Sequence, residues 1–302
     1  MLLPLEREYK LDAPPPLSPA QMSASIKRLQ GAAPKTGYDD AAIESYQKFV
    51  ALRRQGALQK GVRFQVCLPS YFNIGHWMVP EFRGEGSAIY EEALLRDMRA
   101  LQDAIPHEDL AIQIDLAVDT AIWIGYEHTP PWFHEQPGEL EQRRQYMIDH
   151  TVRMISLIDP DVEVGIHNCY GDLDHKHFVE PESLAVIAER GLRLFEKTPR
   201  RIDFFHVPVP LSAMDKLDSY FTSILPLLPK FAEHGTELYL GLVHPNDLEG
   251  TKKRIEAAKT ALGDFDFGVA TECGWGRTPS HEIASIMEIS REVSEAVIPA
   301  DD

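Results

Sequence analysis

The chain has 302 residues, with 47 Asp and Glu against 30 Lys and Arg, and a formal net charge of −17 at pH 7. This acidity argues against a protein that binds nucleic acid or an anionic membrane, since phosphate groups attract clustered Lys and Arg. Three widely spaced cysteines argue against a disulfide scaffold. The chain lacks an apolar run of about 18 residues, and Pro4 and charged residues interrupt its start where a signal peptide is apolar. We therefore expect a soluble, cytoplasmic protein.

From residue 62 onward, short apolar runs alternate with longer segments of helical periodicity. This alternation is typical of β/α units around a parallel sheet. The predicted strands cover residues 62–68, 110–115, 162–167, 202–206, 237–243 and 265–271. The predicted helices between them cover residues 88–104, 139–157, 181–196, 213–234 and 248–262. We expect an α/β protein with a (β/α)8 TIM-type barrel.

The first sixty residues have a different pattern. They begin with a Pro-rich stretch, and helices are predicted only at residues 21–29 and 40–55. We expect residues 1–60 to form an N-terminal extension of loops and helices, and residues 61–302 to form the barrel.

Six predicted β/α units are two fewer than a TIM-type barrel contains. Three explanations stay open: residues 2–11 form an irregular strand, the chain lacks an N-terminal piece, or the sheet closes in an unusual way. If two strands are missing, we expect a partner subunit to cover the exposed sheet edge, because open edges favour pairing. A homo-oligomer is the form expected in that case.

Two strand ends carry residue types that bind zinc. His167 and Cys169 end one predicted strand, and Cys273 follows the last one. Alternate residues of an extended chain point the same way, and a closed barrel brings distant strand ends together. Catalytic zinc typically uses three protein ligands and one exchangeable position, and His and Cys are preferred ligands. The alternative is that these cysteines are small buried hydrophobes, which is the role we assign to Cys67.

Four segments in this order resemble the catalytic half of cobalamin-independent methionine synthase: IQID, GIHNCY, LGLVHPN and VATECGWGR. The resemblance covers residues 110–280, with weaker similarity at residues 64–70. It implies a barrel that holds zinc through His167, Cys169 and Cys273, and that activates a thiol substrate as a thiolate for alkyl transfer. The family's glutamate ligand falls near His206 of this chain, so His206 or Glu272 is expected to be the fourth ligand.

The resemblance also suggests roles for residues near the strand ends. Asp115 matches the aspartate that helps to hold the substrate's ammonium group, although it could act as a base or satisfy loop backbone instead. Ser70 lies in the turn before a substrate loop. His244 ends a strand and is a candidate acid or base. Trp275 and Arg277 are expected to close the pocket and hold an anion, or Arg277 pairs with a structural carboxylate.

Weaker patterns concern three loops. The polar run that contains His175 and His177 predicts a solvated loop rather than a metal site. Asp247 or Asn246 is predicted to cap the helix that follows them. An aromatic segment that includes Trp123 and Trp132 predicts either a lid over the substrate or packing beneath a long loop.

These observations together predict an enzyme that transfers an alkyl group, a methyl group in the family, to or from a small thiol, with zinc as the cofactor. Its partners would be the thiol and an alkyl donor. A Gly-rich phosphate loop is missing, so we expect no nucleotide cofactor. One alternative is a metal-free lyase or decarboxylase-like enzyme that uses the same residues as acid and base. The other is a non-catalytic protein that binds a small molecule.

Overall fold

Six parallel strands lie side by side in chain order in this computed structural model of the protein. The structure describes residues 17–75, 78, 82–125, 140–171 and 176–295. The strands are β1 (Phe64–Pro69), β2 (Leu110–Leu116), β3 (Glu163–Asn168), β4 (Phe204–Pro208), β5 (Glu237–Val243) and β6 (Phe267–Thr271). All six predicted strands are confirmed, and their ends differ from the prediction by two residues at most.

Helices alternate with these strands. They are α1 (Pro19–Ala32), α2 (Tyr38–Arg54), α3 (Tyr71–Gly75), α4 (Arg83–Ala104), α5 (Val118–Trp123), α6 (Leu140–Ser156), α7 (Ala185–Lys197), α8 (Leu217–Thr222), α9 (Leu228–His234), α10 (Leu248–Leu262) and α11 (Ser280–Val293). The α/β class is confirmed, and the sequential parallel order is consistent with a TIM-type barrel. In the part of the chain that the structure describes, β1 and β6 are the sheet edges, and no helix has the length and apolarity to span a membrane.

The prediction of one continuous helix over residues 213–234 is wrong. The segment instead forms a 3-10 turn at Leu211–Lys216, helix α8, a second 3-10 turn at Leu225–Leu227 and helix α9. Pro226 and Pro229 have no backbone N–H to donate, so the regular i to i−4 ladder cannot run through this segment.

The main core lies between the outer face of the sheet and the helices. Ile114, Ile166 and Phe205 are aligned on neighbouring strands and are completely buried. Ala42 and Tyr46 of α2 belong to the same core, so this N-terminal helix packs on the sheet rather than apart from it. Burial of these apolar side chains is the main force that holds the helices against the strands.

The inner face of the sheet is polar and partly open. One aligned row crosses all six strands through Pro69, Asp115, His167, His206, Tyr239 and Gly268. Cys67 lies on this face and is exposed, so its predicted place in the core is wrong. The reason is the two-residue period of a strand, which turns Val66 and Leu68 toward the helices and Cys67 the other way.

Candidate metal centre

Three potential metal ligands converge at the carboxyl ends of β3 and β6. His167 lies near the end of β3, Cys169 follows that strand, and Cys273 lies two residues beyond β6. The Sγ atoms of Cys169 and Cys273 are 3.9 Å apart, and Cys273 Sγ lies 3.8 Å from His167 Nε2. The ligand atoms of all three side chains lie within 4.8 Å of one another. The structure thus brings together the three residues that the sequence pattern singled out.

The Cys169 thiol is buried and accepts a hydrogen bond. Cys169 is only 5% exposed, and its sulfur accepts a hydrogen bond from the backbone N–H of Gly171 at 3.3 Å. The neighbouring Cys273 sulfur and burial together raise the pKa of Cys169. A nearby cation reverses this preference, because metal coordination deprotonates a thiol.

A chain of hydrogen bonds orients the His167 ring. His206 Nε2 lies 3.0 Å from the carbonyl oxygen of Thr271, which can only accept, so this nitrogen carries the hydrogen. Burial lowers the pKa of His206 to about 4, so the ring is neutral at pH 7 and its Nδ1 is an acceptor. His167 Nδ1 lies 2.8 Å from that atom and must donate to it. The lone pair of a neutral His167 is therefore on Nε2, the atom nearest Cys273.

His206, predicted as the fourth ligand, contacts the Nδ1 side of the His167 ring and does not join the group of convergent ligand atoms. Both of its ring nitrogens are engaged, and it is not part of the group whose ligand atoms lie within 4.8 Å of one another. The alternative ligand, Glu272, pairs with His177 Nε2 at 2.8 Å. In the described part of the chain, the convergent group thus comprises three ligands, the number typical of catalytic zinc.

A cleft of about 460 Å³ opens beside the two sulfur atoms. Its wall includes Cys169, Cys273, His244 and Trp275, together with several apolar side chains. A concave site with a few convergent polar groups is the usual form of a small-molecule binding site. The cleft has room for a substrate next to the candidate ligands.

His244 lies at the end of β5 and lines the cleft. Its Nε2 lies 2.9 Å from the carbonyl oxygen of Val209 and therefore donates to it. Burial lowers the pKa of His244, which favours a neutral ring. The remaining nitrogen, Nδ1, then has the lone pair that a general base needs.

Asp115 and Ser70, both predicted to bind substrate, do not line this cleft. Asp115 is the cross-strand neighbour of His167 and accepts a hydrogen bond from Gln113 at 2.8 Å. Burial raises the pKa of Asp115 to about 6. Ser70 is fully buried and donates to Asp119 at 2.7 Å, so its hydroxyl is placed inside the protein rather than toward a substrate.

The loop after β6 places Trp275 and Arg277 differently. Trp275 lines the cleft, and its Nε1 donates to Thr271 Oγ1 at 2.9 Å, which anchors the indole. Arg277 is exposed and does not line the cleft. The structure therefore places the tryptophan on the cleft wall, whereas it does not place the arginine there.

The prediction of a solvated loop around His177 is wrong for this residue. His177 lines the cleft between Glu272 and Glu180, with ring nitrogens 2.8 and 3.1 Å from their carboxylate oxygens. Burial alone would lower the pKa of His177, but these two carboxylates outweigh it and raise the pKa to about 9. His175 and Trp132, from the other loop predictions, lie outside the described residues.

The sequence did not predict a buried hydrogen-bond network next to the candidate ligands. Buried Arg190 donates to Asn168 Oδ1 at 2.6 Å, and Asn168 Nδ2 donates to the carbonyl oxygen of His206 at 2.9 Å. This network ties α7 to the ends of β3 and β4. The sequence indicates this network only through an arginine on the apolar face of a helix, and that pattern does not show which residue the arginine contacts.

No protein-family model matches the chain, and no curated protein matches it either. Among solved structures, the chain is similar to a B12-independent methionine synthase from Shewanella sp. W3-18-1 in complex with selenomethionine. The sequence identity is 14% and the TM-score is 0.45, over 86% of this chain and 67% of that chain. The likeness is distant. It assigns neither a family nor an activity to this protein.

Proposed function

We propose that this protein binds one zinc ion and transfers an alkyl group, such as methyl, to or from a small thiol. The observation that carries the proposal is the convergence of His167 Nε2 and the sulfur atoms of Cys169 and Cys273 within 4.8 Å. This group lies beside a cleft large enough for a small molecule.

The donor set fits zinc by its chemistry and by its spacing. Imidazole nitrogen and thiolate sulfur are preferred zinc ligands, with bonds of about 2.0 and 2.3 Å, so neighbouring donors of a tetrahedral site lie about 3.5–3.8 Å apart. Two of the three separations, 3.8 and 3.9 Å, are close to this range, and the third is within 4.8 Å. The hydrogen bond from His167 to His206 is of the kind that orients metal-binding histidines.

When bound, zinc supplies a Lewis acid that lowers the pKa of a thiol substrate, so that the sulfur is a thiolate at neutral pH. The chain's own residues account for the other requirements. His244 Nδ1 accepts the thiol proton, because Nε2 is committed to the Val209 carbonyl. The apolar side chains of the cleft wall, such as Val243 and Ile286, offer packing surface for the alkyl group.

The first test is elemental analysis of tag-free protein, with the double variant Cys169→Ser/Cys273→Ser and the matched control Cys67→Ser. We expect one zinc per chain in the parent and the control, and loss of zinc in the double variant. Methyl transfer to homocysteine and other small thiols is then assayed with and without a chelator. Metal-free protein of full stability would overturn the proposal.

One observation favours the metal-free alternative. Burial raises the pKa of Asp115 to about 6, which suits a carboxyl group to general acid or base catalysis near neutral pH. Turnover that survives chelation and is abolished in Asp115→Asn would support a lyase or decarboxylase-like activity instead.

A further inference from the structure

The cleft beside the candidate ligands is acidic. Three glutamates, Glu180, Glu272 and Glu282, line it, and the lining residues in the described part of the chain include neither Lys nor Arg. His177 lies between two of these side chains, with its ring nitrogens 3.1 Å from Glu180 and 2.8 Å from Glu272. Acidic side chains therefore outnumber basic ones in the described part of the wall. Such a wall repels an anionic substrate and attracts a cationic one.

Of these three glutamates, Glu282 has the longest contact between its carboxylate and an ionisable side chain of the described residues. Glu180 accepts hydrogen bonds from His177 and Ser212, at 3.1 and 2.6 Å, and Glu272 pairs with His177 at 2.8 Å. Glu282 lies in the first turn of α11, where its carboxylate is 4.0 Å from the exposed His281. This carboxylate can therefore face a charged ligand without breaking a short ion pair.

An aromatic wall complements the charge. Trp275 is 40% exposed and lines the cleft, while its hydrogen bond to Thr271 anchors the ring next to Cys273. The face of an indole attracts cations, and quaternary ammonium groups are bound in this way because they donate no hydrogen bonds. A carboxylate and an indole on one cleft wall are the groups that recognise an alkylated cation.

We propose that the alkyl donor is a small organic cation, a sulfonium or quaternary ammonium compound, recognised by Glu282 and Trp275. This inference rests on the proposed alkyl transfer to a thiol. The thiolate sulfur forms a bond to the methyl carbon as the carbon–sulfur or carbon–nitrogen bond of the donor breaks. The electron pair of that bond leaves with the neutral sulfide or amine. A cation and an anion thus become two neutral products, with no oxidant or reductant required.

Binding is tested with a pair of probes of nearly equal shape. Calorimetric titration of the full zinc-loaded chain compares choline with its uncharged isostere 3,3-dimethylbutan-1-ol. We expect choline to bind at least about fivefold more tightly, since a cation–π contact and a facing carboxylate act on the charged probe alone. Equal affinities, or no binding of either probe, would overturn the inference.

Variants then identify the recognising side chains. Trp275→Leu and Glu282→Gln are each expected to weaken choline binding about fivefold to thirtyfold, whereas Trp275→Phe retains most of it. Glu249→Gln, which removes an exposed carboxylate outside the cleft wall, serves as the charge control and should leave affinity unchanged. Unchanged binding in both cleft variants would assign the selectivity to another surface and contradict the proposal.

The same titration on Cys169→Ser/Cys273→Ser separates this inference from the proposed function. Selective binding of choline to a protein that never holds zinc would refute the metal-dependent transfer and retain the cation site. Zinc in the parent protein without selectivity for choline would refute the cation site and retain the metal centre.

Discussion

Two polar groups stand side by side on the inner face of one sheet, and they differ in chemistry. At β3 and β6, His167, Cys169 and Cys273 supply nitrogen and sulfur donors. At β2, the neighbouring strand, Asp115 supplies carboxylate oxygen in register with His167. Soft thiolate and imidazole ligands favour zinc, whereas carboxylates alone favour hard cations or ammonium groups. The comparison shows that neighbouring strand ends of one sheet present nitrogen and sulfur donors beside a carboxyl group.

Burial favours the neutral form of both groups, although it shifts their pKa values in opposite directions. It keeps the imidazoles of His167 and His206 neutral, because it lowers the pKa of each ring. It also favours the neutral form of Asp115, because it raises the pKa of that carboxyl group to about 6. A neutral imidazole is ready to bind a metal, while a protonated carboxyl group can still donate or lose a proton.

The largest effect is expected from Gly241→Ala, which tests how the sulfur-bearing loop is positioned. A Cβ atom at Gly241 would lie 2.8 Å from the Cα of Glu272, a backbone atom that cannot move without shifting Cys273. We expect a loss of about 2–3 kcal/mol in unfolding free energy by urea titration, and weaker zinc binding. Gly276→Ala is the control, since nothing lies within 4 Å of its added Cβ. Equal stability of the two variants would contradict this account.

The next effect concerns the orientation of His167. His206→Leu removes the acceptor for His167 Nδ1 and is expected to weaken zinc binding about 10–100-fold in a competition assay with a chelator. His206→Asn offers an amide oxygen in a similar place and should lose less. If both variants bind zinc as the parent does, His206 does not orient the ring. If both lose it entirely, His206 is a direct ligand, as the sequence predicts.

The smallest effect tests the carboxylate group. The pKa of Asp115 is raised to about 6 in the folded chain, so its protonated form is favoured there and its ionisation opposes folding as the pH rises through 6. Asp115→Asn should therefore be more stable than the parent at pH 8, by about 1 kcal/mol because the side chain is partly solvated, and nearly equal at pH 4. Urea titrations at the two pH values measure this difference.

An exposed carboxylate provides the comparison for that experiment. Asp103→Asn replaces an aspartate at the surface of α4 and should show no such dependence on pH. If Asp115→Asn and the parent have the same unfolding free energy at both pH values, burial does not penalise the charge of Asp115.

Local sequence patterns were enough to predict much of the fold. Short apolar runs between longer segments of helical periodicity predicted all six strands, because such a run is visible from neighbours along the chain. The cap at Asp247, whose side chain accepts from the backbone of Gly250, is confirmed for the same reason. The prediction of one long helix over residues 213–234 was wrong because it followed the apolar spacing and neglected the two prolines in the segment.

The site was only partly predictable. The spacing of His167 and Cys169 indicated that both side chains point to one place, and the order of strand ends added Cys273. The His206 interpretation rested on one position in a motif, whereas the ring's role depends on the Thr271 carbonyl, 65 residues away along the chain. A sequence pattern shows which residue types are available, but it does not show which atoms they face.

The sequence by itself determined the β/α order, the parallel sheet and the pairing of His167 with Cys169 on one side of a strand end, since each follows from local periodicity or short spacing. Only the tertiary structure decided the tautomer of His167, the acidic cleft and the place of Cys273. A register shift in β5 between Gly241 and Val243 accompanies the close approach of β6. These features arise where distant backbone segments meet, because burial and hydrogen bonding there depend on partners that no local pattern specifies.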